Sequence, residues 1–213
     1  MFKKALLSFA MVAFSGSVLA APTANIYVKG KIGAPTCTIN GQDTADLVFN
    51  FDVDFEGDTY FDEQNNHYRL VQQGQDFNID CDASTSIFMN VIDAREGTSS
   101  SDSNEYGFGL GMHDQTKVGF YDIKIGGLFI KESSESEEKL AYFVRNGEVT
   151  QSTPNPWLTP GESFGWAVDG NYAVARHFSG GVIVIPYINA ELKNVAEEVE
   201  LDGLAILSFS FGI

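Results

Sequence analysis

Several groups of residues in this 213-residue chain have types and spacing that suggest chemistry. Gly161-Glu162-Ser163-Phe164-Gly165 matches the G-x-S-x-G nucleophile pattern, and Asp169 and His177 follow in the order of a hydrolase triad. That pattern works on a strand, a sharp turn and a helix. Here Pro154, Pro156 and Pro160 precede it, and Phe164, Trp166 and Val168 alternate onward as a strand into Asp169-Gly170, so no catalytic residue is assigned. Asp52-Val53-Asp54-Phe55-Glu56-Gly57, with Glu63 at the twelfth position, approaches a calcium loop built of hard carboxylate oxygens. Its fifth position is Glu, its eighth is Thr59, and its entry alternates like a strand. The reading is a strand with a solvated acidic face, and no metal is expected. His67, His113 and His177 show no paired metal-ligand spacing. Trp157 and Trp166 have rings that stack on sugars or fill cores, and Trp157 stands in a proline-flanked loop. Cys37 and Cys81 are too few for a thiolate cluster and suffice for one disulfide in an oxidising compartment. No cofactor is implied.

The elements that carry these residues are mostly strands. Ile26, Val28, Gly30 and Ile32 alternate with Tyr27, Lys29 and Lys31; Phe49, Phe51, Val53 and Phe55 alternate with Asn50, Asp52 and Asp54. Leu207, Phe209, Phe211 and Ile213 share one face of a last strand, opposite Ser208, Ser210 and Gly212. Turns are expected at Gly126-Gly127, Asn146-Gly147, Asp169-Gly170, Gly180-Gly181 and Asp202-Gly203, where positive φ is cheap. Leu192, Val195, Ala196 and Val199 have helical spacing in a short acidic connection. The polar stretches 97–105 and 131–139 read as exposed loops. Residues 1–20, with Lys3 and Lys4 before an apolar run and small residues at the close, read as a secretory signal peptide. Its apolar core is shorter than the roughly 20 residues of a spanning helix, and no later segment approaches that length, so no membrane span is expected. With 29 Asp+Glu against 13 Lys+Arg the net charge is −16, which argues against a nucleic-acid partner. Loss of Lys3 and Lys4 takes it from −16 to −18. Many short alternating strands with Gly-marked turns predict an all-β, antiparallel sandwich.

The run Asn25-Ile26-Tyr27-Val28-Lys29-Gly30-Lys31-Ile32-Gly33-Ala34-Pro35-Thr36-Cys37 resembles the start of mature chaperone-usher pilus subunits, with a second Cys at 81 inside Phe77-Asn78-Ile79-Asp80-Cys81-Asp82. Asp93-Ala94-Arg95, Tyr106-Gly107-Phe108-Gly109-Leu110-Gly111, Lys117-Val118-Gly119-Phe120-Tyr121 and Leu201-Asp202-Gly203 are similar to a longer branch of fimbrial-like proteins. The resemblance covers essentially the whole mature chain. It implies a Cys37–Cys81 disulfide and an immunoglobulin-like sandwich over 34–213 that lacks its last strand. A donor strand from a partner completes such a sheet. By resemblance, a periplasmic chaperone supplies that strand first, and an outer-membrane usher exchanges it for the N-terminal extension, residues 21–33, of a neighbouring fimbrial subunit. Ile26, Val28, Gly30 and Ile32 would be inserted, with Gly30 allowing close approach. Leu207, Phe209 and Phe211 would line the acceptor groove, and the Ile213 carboxylate would anchor to basic residues of the chaperone. On periodicity alone both stretches are ordinary core strands. The implied function is a structural, adhesive subunit exported through the periplasm to the cell surface; the alternative is a tip adhesin or carbohydrate-binding β-sandwich. A tip adhesin carries a further N-terminal receptor domain and has no use for a donor strand. The chain is longer than common major pilins, with extra material at 97–105 and 131–160.

Overall fold

The computed structural model describes residues 26–30, 33–57, 59–101, 104–147 and 156–212. The chain separates into two compact units, Met1–Gly33 and Ala34–Ile213. Of the first, residues 26–30 have no regular secondary structure, and Ile26 and Val28 are 89% and 95% exposed. The signal segment 1–20 and Ile32 lie outside the described residues.

The second unit is all-β. Its strands are β1 (Cys37–Ile39), β2 (Thr59–Asp62), β3 (His67–Leu70), β4 (Gln73–Asp93), β5 (Gly107–Gly109), β6 (Met112–His113) and β7 (Thr116–Lys117). They continue with β8 (Gly119–Lys131), β9 (Lys139–Leu140), β10 (Tyr142–Arg145), β11 (Ser163–Val168), β12 (Asn171–Tyr172), β13 (Ala175–Asn189) and β14 (Ala205–Gly212). Every pairing between them is antiparallel.

β4 serves both layers. Its first half pairs β13 on one side and β1 on the other; its second half pairs β11 and β14. Asp82, Ala83 and Ser84 are exposed between buried Cys81 and Thr85, which marks the corner where the strand doubles back. Consequently Trp166 of β11 meets Phe178 of β13 across the interior, with ring centroids 6.0 Å apart. Asp93, at the far end of β4, accepts from the Gly109 amide of β5 at 2.9 Å. Ile79, Met89, Phe108, Ile125, Phe164, Trp166 and Phe178 form the dry centre, each at most 1% exposed. Cys37 and Cys81 are joined, as the sequence implied, and the bond ties β1 to β4.

Three expected features come out differently. Gly126-Gly127 and Gly180-Gly181 are not turns: they lie inside β8 and β13 and meet each other, Gly181 opposite Gly126, at a shift of register after Ser179. A Cβ at Gly180 would stand 2.8 Å from Leu128 Cδ2 and 3.0 Å from the Phe77 ring, so the glycine makes room for core side chains. Asp202-Gly203 makes no hairpin and instead leads into β14. The helical spacing yields only a 3-10 turn, Ala190–Asn194, capped by the Asn189 side chain and anchored by buried Leu192; the extended Val195 ends it before Val199. Asn146-Gly147 and Asp169-Gly170 are turns, with positive φ at both residues of each pair.

Candidate functional site

On one lateral side of β4 the ladder is complete, with β13 and then β11 along nearly its whole length. The other side carries β14, and among the described residues β14 pairs with nothing else. Alternation turns Leu207 and Phe209 inward, where they are half-buried against the core, Phe209 lying 6.4 Å from the Trp166 ring. Phe211 shares their parity but is 40% exposed and does not join that packing. Thr85 Oγ1 donates to the Gly212 carbonyl at 2.7 Å and fixes the end of the strand. Ile213 lies outside the described residues.

Beyond β1 on this same side, residues 43–57 form no ladder at all. Leu47, Phe49, Phe51, Val53 and Phe55 are half-buried against the core, and Asp46, Val48, Asn50, Asp52 and Asp54 between them are exposed. This is the burial of a strand without its ladder: among the described residues, no backbone-to-backbone bond is made by residues 43–57. Only side chains hold it, Gln75 Nε2 donating to the Val48 carbonyl at 2.5 Å and Gln73 Nε2 to the Asn50 carbonyl at 2.6 Å. In extended chain both backbone groups of a residue point to one side and those of the next to the other. With 48 and 50 facing β4, the N–H and C=O groups of 47, 49 and 51 face away from it. Such groups are ordinarily paired, so among the described residues two strand edges, each backed by half-buried apolar side chains, are left without a ladder partner. Thr36 steadies the entry to this wall by donating to Asp82 from its amide at 2.9 Å and its hydroxyl at 2.8 Å, which holds the Asp82 carboxyl below the usual range.

The other sequence candidates are dispersed. Ser163 opens β11, with Asn146 Oδ1 accepting from its amide at 3.2 Å, and no helix follows it. Asp169 sits in a turn, while His177 Nδ1 bonds Asp80 Oδ1 at 2.6 Å beside an open bowl of about 310 Å³ lined also by Lys131 and Glu138. Residues 52–54 have no regular secondary structure and 55–57 bend, and Thr59–Asp62 is the first strand of the β2–β3 hairpin, in which Asp62 accepts from Gln64 and Asn65. Among the described residues no group of His, Cys, Asp and Glu is placed to hold a metal, and no helix is long and apolar enough to cross a membrane. Trp166 is core. Trp157 is half-buried, with the Lys124 ammonium 5.3 Å from its ring centroid.

The loop over 94–106 is fastened to the outer face of β8. Buried Asp122 accepts from Asn104 Nδ2 at 2.8 Å, with Tyr187 hydrogen-bonded to it and Arg69 near; its burial still pushes the carboxyl up to about 6. His67 Nε2 pairs with Ser100 Oγ at 2.6 Å, and burial lowers the imidazole pKa. Arg95 grips Asp202 at 2.6 and 2.8 Å, tying this loop to the approach of β14. The second wall, 47–55, is the candidate feature that reading the sequence missed. Its alternation was visible, but its lack of a strand partner was not. In comparisons with known proteins, no family model matches this chain and no curated protein sequence is similar to it.

Proposed function

We propose that this chain is a structural subunit of a surface fimbria, an incomplete immunoglobulin-like sandwich that takes up a donor strand from its neighbour. One observation carries the reading: among the described residues β14 pairs only with β4, and the half-buried residues 45–55 join no ladder. A strand laid between them extends the β14 ladder and covers Leu207, Phe209, Phe49 and Phe51. The segment Ile26-Tyr27-Val28-Lys29-Gly30-Lys31-Ile32 has the alternation to do this, and Ile26 and Val28 are fully available. Burying each Ile or Val side chain contributes about 1.5–3 kcal/mol before the cost of ordering the strand. A periplasmic chaperone would hold the open flank first, an outer-membrane usher would direct the exchange, and the filament would reach the cell surface and serve adhesion.

The carbohydrate-binding alternative rests on Trp157, and the Lys124 ammonium over its ring occupies the face a sugar needs. The test is to add a peptide covering Ala24–Gly33 to the purified mature chain. Binding with a raised melting temperature is expected. A lone monomer whose stability the peptide leaves unchanged sinks the proposal.

A further inference from the structure

We propose that the strand fitting this groove best is the N-terminal segment of a second copy of this chain, selected by charge as well as by shape; the inference rests on the strand-exchange reading above. All 29 acidic residues lie in 34–213, which hold only nine basic ones, whereas 21–33 hold Lys29 and Lys31 and no acid. A donor of the domain's own average charge would be repelled by its acceptor, and this one is attracted.

The attraction also has a place. Alternation sets Lys29 and Lys31 opposite in direction to Ile26, Val28, Gly30 and Ile32, so inserting the apolar row turns both ammonium groups outward. On the 45–55 wall the outward residues are Asp46, Val48, Asn50, Asp52 and Asp54, all exposed. Among the described residues Asp46, Asp52 and Asp54 have no cation partner, and the one contact of Asp54 is acceptance from the Glu56 amide at 2.9 Å. The outward residues of β14, Ile206, Ser208 and Ser210, carry no charge. Side chains directly opposite on neighbouring strands stand about 4.5–5.5 Å apart at Cβ, close enough for lysine to pair with aspartate. Asp52 and Asp54 stand two residues apart, as Lys29 and Lys31 do, and so mark which wall the lysines meet. The Gln73 and Gln75 side chains hold that wall in extended form with its other edge free.

The experiment measures binding of a labelled Thr23–Gly33 peptide to the purified mature chain at low and high salt. With the K29E/K31E peptide, affinity is expected to fall roughly tenfold at low salt and less at high salt. The D52K/D54K chain should restore the K29E/K31E peptide, and the E197K/E198K chain, with the same change in net charge, should not. Failure of the wild-type peptide to bind at either salt overturns strand exchange itself. Equal binding of the two peptides at low salt overturns the charge selection and leaves strand exchange standing. Equal rescue by both lysine chains overturns the assignment to Asp52 and Asp54. Because D52K/D54K is itself a surface change, its binding of the wild-type peptide at high salt verifies that the variant is folded.

Discussion

The two flanks of β4 are built from similar residues and end differently. On the β13 and β11 side, Phe178, Trp166 and Phe164 are almost wholly buried, and each strand has its ladder. On the other side, Phe49, Phe51, Leu207 and Phe209 are equally large and apolar, yet only half-buried, and among the described residues no strand pairs the outer edge of β14. Apolar alternation therefore specifies a face, and the supply of neighbours decides whether that face becomes core. Asp46, Asp52 and Asp54 are exposed beside that flank, and charge at an edge disfavours unspecific strand pairing.

The contrast is sharpest in substitutions that remove one large ring from each flank. Trp166→Ala on the closed side should cost about 3–5 kcal/mol in urea unfolding, whether or not the Ala24–Gly33 peptide is present. Breaking the disulfide with Cys37→Ala and Cys81→Ala should cost about 4 kcal/mol, since it releases a loop closed across a separation of 44 residues and with it the wall that β1 leads into. Peptide binding should weaken along with stability; a variant that binds as before would show that the wall does not depend on β1.

Asp122 gives a pH-dependent test on the closed side. Its folded pKa is raised to about 6, so its stabilising contribution is complete below the unfolded carboxylate value and is lost as pH rises through about 6. Asp122→Asn should therefore stabilise the chain at pH 7, by up to about 3 kcal/mol, and remove the part of the pH dependence between 6 and 4 that favours acid. His67 acts with the opposite sign: its lowered pKa means stability is lost as pH falls below the unfolded histidine value. Unfolding midpoints of Asp122→Asn and His67→Gln across pH 4–7 separate the two, and parallel curves for both variants would refute the assignment. The smallest effect belongs to the open flank. Phe51→Ala should cost about 1–2 kcal/mol in the free chain and more once the peptide is bound, because only then is the ring fully covered. An equal cost in both states would mean that the flank is already closed.

Much of this was legible in the residues. Strict alternation located β11 and β14, and the pairs Asn146-Gly147 and Asp169-Gly170 announced their turns. What was not legible has a common physical origin, namely that period-two patterning reports which side chains are buried and is silent on what the backbone pairs with. Phe49, Phe51, Val53 and Phe55 look like any core strand, and only the structure shows their carbonyl neighbours held by two glutamines. Gly126-Gly127 and Gly180-Gly181 were ambiguous for another reason. A glycine pair is equally suited to a turn and to a crowded crossing of strands, and Leu128 and Phe77 decide for the second. Asp122 and its loop lie beyond any local pattern, since Asn104 meets the carboxylate only through the fold.

The pairing of β14 with the second half of β4 also sets an order of events in time. Thr85 and Gly212, which close that ladder, are 127 residues apart in the chain. Closing so long a loop carries an entropy cost that local contacts do not, and such contacts form slowly. The β14 side of the core therefore closes late in folding, and its strand edges are most exposed to wrong partners before it does.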